Sequence, residues 1–127
     1  MDRIFTNKQS REVIDWVGSA YGDALEFLWE RFPDTAVFRR KDTMKWYGVM
    51  ARIPARKLGV EGMAGQEILE VMNLHLPPDD VSHLIDRECF FPAWHMNKTH
   101  WVTVVLDGRI ETSRLREYVK TSYHLAR

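Results

Sequence analysis

The sequence has one cysteine, no net charge and no long apolar run. A single thiol, Cys89, excludes an internal disulfide framework. Basic and acidic residues number 18 each, so bulk attraction to nucleic acid or acidic lipid is absent and any such binding must come from uneven charge placement. A membrane helix needs about 20 consecutive apolar residues. No run approaches that, so no membrane partner is expected. The stretch Met1-Asp2-Arg3-Ile4-Phe5-Thr6-Asn7-Lys8 holds no apolar core of the signal-peptide kind. A reduced, cytoplasmic setting is the expectation. Internal repeats and low-complexity tracts are also missing.

What is present suits one folded unit. A chain of 127 residues matches a single domain over 1–127 and needs no disulfide or metal to fold. Five Trp, four Tyr and six Phe supply a large core, since each buried ring removes about 150–250 Å² from water.

Val13, Trp16, Val17 and Ala20 recur at helical spacing, which predicts a helix over 9–21 capped by Asn7 or Ser10 and ended by Gly22. Residues 24–32 read as either a helical turn or an apolar strap. Residues 36–40 and 45–53 form a hairpin around Lys41-Asp42-Thr43, with Gly48 marking a bulge or a close backbone approach. Residues 55–66 read as a loop and 67–75 as a third strand. Pro77-Pro78-Asp79-Asp80 opens a short helix. Strands follow over 90–96 and 101–106, and a last helix is capped by Thr112 or Ser113. The order α-β-β-β-α-β-β-α predicts an α+β domain, a five-stranded, mainly antiparallel sheet with helices on one face.

The string His95-Met96-Asn97-Lys98-Thr99-His100-Trp101, followed by Thr103-Val104, Leu106-Asp107-Gly108 and Ser122-Tyr123, resembles the MmcQ/YjbR family of small bacterial proteins. Phe32-Pro33-Asp34, Ala36-Val37-Phe38, Lys45-Trp46-Tyr47 and Asn73-Leu74 before Pro78 extend the likeness over nearly the whole chain. His75 stands where that family often has Lys. The resemblance implies a CyaY-like or secretion-chaperone-like fold, and it implies DNA binding.

Charge is laid down in blocks. Residues 1–35 carry net −3, 36–60 net +6, 61–92 net −6 and 93–127 net +3. The first hairpin is therefore a basic wing. Arg39, Arg40, Lys41, Lys45 and Arg52, with Lys98 from the later motif, are the candidate phosphate contacts, and Trp46 is a candidate for stacking on bases. The competing reading is a hairpin neutralised by the acidic segments of its own chain. Within the motif, His95, Asn97, Lys98 and His100 offer an anion contact or acid–base chemistry. Their structural reading is a tight connection in which Asn97 takes a left-handed backbone.

No nucleophile with a base and an orienting partner is identifiable, so no catalytic residue is assigned. No ligand set for a metal accompanies the two histidines, and no cofactor is expected. Cys89 lies among Glu88, Phe90 and Phe91, which favours an inert thiol. Asp15, Asp23, Glu26 and Glu30 read as a solvated acidic face. The expected function is a non-enzymatic cytoplasmic binding protein, with DNA as a weak, salt-sensitive partner. A chaperone-like protein-interaction module is the first alternative. A small-ligand binder or enzyme built on the turn from His95 to His100 is the second.

Overall fold

The computed structural model describes residues 4–127. Helix α1 (Lys8–Tyr21) is followed by a strap, then strands β1 (Thr35–Arg39), β2 (Trp46–Pro54) and β3 (Ile68–His75). Helix α2 (Pro78–Leu84), strands β4 (Phe90–Pro92) and β5 (Trp101–Val105) and helix α3 (Thr112–Leu125) complete the chain. All pairings are antiparallel in one five-stranded sheet of order β1-β2-β3-β5-β4. The α+β architecture and element order are those expected.

Both faces of the sheet are buried, which explains the nearly continuous apolar run of β3. Met72 and Leu74 point to one face, where Val13 and Val17 of α1, Val81 of α2 and Leu115 and Val119 of α3 pack on them. Leu69 and Val71 point to the other, against Ala51, Ile53, Phe91 and Val105. No α-helix covers this second face. The segment expected as a loop does so, through Ala55, Leu58 and Val60. It coils into two single-turn 3-10 helices, Ala55–Leu58 and Met63–Gln66. Gly65 allows the tight fold-back, because a Cβ there would lie 2.4 Å from the Val60 carbonyl oxygen.

Gly48 lies beside the expected bulge, and what approaches it closely is side chain rather than backbone. Phe38 pairs with Gly48 while Arg39 pairs with Trp46, so Tyr47 is the extra residue of a β-bulge. A Cβ on Gly48 would lie 2.6 Å from Met72 Cε. The bulge turns Tyr47 onto the helix side, edge-on to Tyr21 and Tyr123 and hydrogen-bonded to the buried Asp23 carboxylate. Burial, then Asp23, raises the Tyr47 phenol far above its usual pKa. Beyond the last β2–β3 pair, Val49 with Asn73, Ser122 of α3 bridges the two strands. Its hydroxyl donates to Tyr47 O at 2.7 Å and accepts from His75 N at 2.9 Å.

Of the two readings of 24–32, the strap is the one found, with a single bridge from Glu26 to Val37. Two boundaries differ from the sequence expectation. Helix α3 starts one residue earlier than capping by Thr112 would give and two earlier than capping by Ser113, with Glu111 in the cap position and no side-chain cap. Strand β4 ends at Pro92 rather than Met96, for a reason that concerns the site below.

Ser122 joins α3 to two strands at once. Replacing it by Ala leaves a buried carbonyl and a partly buried N–H unpaired, a loss of about 1–3 kcal/mol. Urea unfolding of Ser122→Ala should show a lower midpoint with an unchanged slope.

Candidate functional site

The basic hairpin is largely neutralised within the chain. Arg39 makes two hydrogen bonds to the Glu26 carboxylate, at 2.9 and 2.7 Å. Arg40 is held the same way by Asp42, donates to Tyr123 O at 3.0 Å and lies 4.2 Å over the Tyr123 ring. Lys41 sits 2.7 Å from Asp23 and donates to the carbonyls of Tyr21 and Gly22. Lys45 donates to Arg127 O, and Thr43 Oγ1 to Ala126 O. Arg52 lies 4.0 Å from both Asp34 and Glu70. Trp46 is half-buried and edge-on to Trp29. The hairpin tip is thus pinned to the end of α3. Asp23 and Glu26, expected on a solvated face, are partners of the hairpin.

The motif turn is built differently from the expectation. The left-handed residue is His95, at φ 57°, not Asn97. Asn97 acts through its side chain, whose Oδ1 accepts from Thr99 N at 2.9 Å and His100 N at 3.1 Å. Its carbonyl accepts from Trp101 N. His95 and His100 belong to separate aromatic pairs. His95 is edge-on to Trp94, with ring centroids 4.4 Å apart, and His100 is edge-on to His75 at 6.0 Å. Trp101 stacks on His75, whose imidazole pKa is lowered by burial, then by His100 and Lys45. Met96 is half-buried. Among the described residues, no three His, Cys, Asp or Glu side chains meet as a metal site would require.

Strand β4 stops early because side chains take over its ladder. Trp94 N donates to Thr103 Oγ1 at 2.9 Å, and Asn73 Nδ2 donates to Trp94 O at 2.8 Å. Thr103 Oγ1 in turn donates to Asn73 Oδ1. The chain then leaves the sheet at His95. This departure opens a cleft of about 510 Å³ lined by Lys57, Leu58, Gly59, Arg87, Trp94, His95 and Lys98, with Pro92 and Ala93.

Three basic side chains reach this cleft from three separate segments, Lys57 from the first 3-10 helix and Arg87 and Lys98 from loops, and no carboxylate lines it. Lys57, Arg87 and Lys98 are exposed and have no ion-pair partner among the described residues. Arg87 and His95 are two of the three non-glycine residues with positive φ among the described residues, at 58° and 57°. A residue in that region costs about 1–3 kcal/mol and is often found at functional sites. Arg87 is held there by Asp86, whose Oδ1 accepts from the backbone N–H groups of Glu88, Cys89 and Phe90. Those donors, Phe90 first, keep the Asp86 carboxyl below its usual pKa. Cys89 donates to Arg109 O, and burial, then Asp86, raises its thiol pKa.

Of the sequence candidates, the cleft gathers His95 and Lys98. Arg39, Arg40, Lys41, Lys45, Trp46 and Arg52 lie away from it, as do His100 and Trp101. Lys57, Arg87 and Trp94 were not singled out as contacts by sequence. Lys57 was legible as part of the basic block, and Trp94 as a neighbour of the motif. Arg87 is the one basic residue of an acidic stretch, so nothing marked it.

The two loops give two tests. Asn97→Ala should lower stability by about 0.5–1.5 kcal/mol per hydrogen bond removed, whereas Asn97→Asp, which keeps the acceptor, should stay near wild type in a denaturant titration. Asp86 has a lowered folded-state pKa, so its contribution is full above the unfolded value, about 3.9, and lost as pH falls through the lower folded one. Unfolding measured across this acid range should show a shallower loss of stability for Asp86→Asn than for wild type.

Comparison with known proteins places this geometry in a family. The chain is 28% identical over 116 residues to the protein YyaQ of Bacillus subtilis (strain 168), covering 91% of this chain and 96% of that one. A crystal structure of a Pseudomonas syringae protein covers 100% of both chains at 35% identity and a TM-score of 0.86. A solution NMR structure from the same organism covers 93% of this chain and 92% of that one, at 36% identity and a TM-score of 0.79. Deinococcus radiodurans protein DR2400 shares the fold, at 22% identity and a TM-score of 0.65 over 88% of this chain and 76% of that one. The family model YjbR matches residues 18–125, and the chain belongs to the YjbR family.

Proposed function

We propose that the chain is a non-enzymatic, cytoplasmic binding protein that holds DNA through the cleft beside Trp94. The observation that carries this reading is the convergence of Lys57, Arg87 and Lys98 on one cleft with no carboxylate in its lining. The cations of the first hairpin are largely taken up by carboxylates and carbonyls of the chain, whereas these three converge on one cleft without such partners and form a local phosphate site on a neutral protein. The absence of a hydrogen-bonded acid–base pair among the described groups of the cleft supports binding over catalysis. Arg39, Arg40, Lys41 and Lys45 then have a structural role, fastening the hairpin to the strap and to α3.

A protein-interaction module is the second reading. It is favoured by the strap beside the edge strand, where Phe27, Leu28 and Phe32 are 41%, 42% and 61% exposed.

On duplex DNA, log K falls with log[salt] by about 0.9 per phosphate neutralised, and on single strands by about 0.7. Three cations therefore predict a slope of about −2 to −3. The triple variant Lys57→Gln, Arg87→Gln, Lys98→Gln should bring that slope close to zero, while Lys45→Gln should leave it unchanged. The measurement is a titration of labelled oligonucleotide at several salt concentrations. No binding of single- or double-stranded DNA at low salt ends the DNA reading, and the interaction module then leads.

A further inference from the structure

We infer that the cleft takes single-stranded DNA and stacks a base on Trp94. This inference rests on the DNA reading above and narrows it. A duplex must be met either by an element that enters a groove or by a charged surface laid along its backbone. The β1–β2 hairpin offers neither. Its tip is tied to α3 through Arg40, Thr43 and Lys45. Helix α1 carries mixed charge, Lys8 and Arg11 against Glu12 and Asp15. Helix α3 is more basic, but Arg114 lies over the Phe90 and Tyr118 rings and Lys120 pairs with Glu117. Helix α2 begins with Asp79 and Asp80.

The cleft is concave instead. It has an aromatic wall, and its cations are spread among three segments. That combination, a positive groove beside a half-buried ring, is how single strands are held without sequence preference. A duplex keeps its base faces stacked inside and cannot offer one to Trp94. A single strand can, with its phosphates on Lys57, Arg87 and Lys98.

Trp94 is half-buried in the wall of the cleft, and His95 stands edge-on to its indole with ring centroids 4.4 Å apart.

The test compares three probes of equal length by fluorescence anisotropy at low salt: single-stranded oligo-dT, an abasic single strand and a duplex. Wild type should bind oligo-dT about tenfold more tightly than the abasic strand, the order that one stacked base contributes, and more tightly than the duplex. Trp94→Leu should lower oligo-dT affinity to the abasic level, while Trp94→Phe should keep most of the difference. Far-UV circular dichroism checks the variants' fold. Should Trp94→Leu fail to fold, the oligo-dT against abasic comparison on wild type decides alone. Equal affinity for oligo-dT and the abasic strand overturns the stacking inference and leaves DNA binding standing. Binding of none of the three overturns both.

Discussion

The arrangement depends first on a closed set of three hydrogen bonds between Asn73, Thr103 and the backbone of Trp94. Asn73 and Thr103 face each other across β3 and β5 and are buried. A buried amide and hydroxyl are costly unless satisfied. Here each completes the other, and together they pair both backbone groups of Trp94. The chain can therefore leave the sheet after Pro92 without orphaning a buried N–H or C=O. Without that substitution β4 would have to continue along β5, and Trp94 and His95 would lie in a flat ladder.

Charge placement is the second constraint. Zero net charge conceals a block of +6 over 36–60, and folding sets it against acids of the first 35 residues. Arg39 finds Glu26, and Lys41 finds Asp23. These pairs are mostly at the surface, where ion pairs add little to stability. Their larger effect is on shape, because they hold the hairpin tip against the strap and the end of α3. Of the cations at the cleft, Lys57 comes from the first 3-10 helix, and Arg87 and Lys98 come from loops whose backbones are fixed by turns. Asp86 and Asn97 each collect backbone N–H groups on one side-chain oxygen, and each turn presents one of the cations.

Much of the fold was legible because its signals are local. The helical spacing of Val13 and Val17, the apolar run of β3 and the glycine in β2 depend on near neighbours, and each is found where expected. The early end of β4 was not legible, since residues 93–96 read as strand until Thr103 and Asn73 are brought beside Trp94. The strap was ambiguous for a similar reason, as its single bridge depends on β1. The site was less legible than the fold. A block of cations is visible in sequence, but its partners are not. Arg40 meets Tyr123 O across 83 residues, and no pattern within the hairpin announces that.

The same distinction bears on the motif. Its residues are contiguous, yet the fold sends them in different directions. His100 and Trp101 go to His75 at one end of β3, Asn97 to its own turn, and His95 and Lys98 to the cleft. A contiguous string therefore does three jobs, two that fix backbone and one that presents a side-chain pair to solvent. The strained residue is the one at the cleft, His95, while the residue that would tolerate strain best, Asn97, does not carry it. A turn selected for stability alone would place them the other way round. The cost is borne where the chain bends to expose Trp94, and both loops that hold left-handed residues there are braced before any ligand arrives. Such a site loses little further conformational freedom on binding.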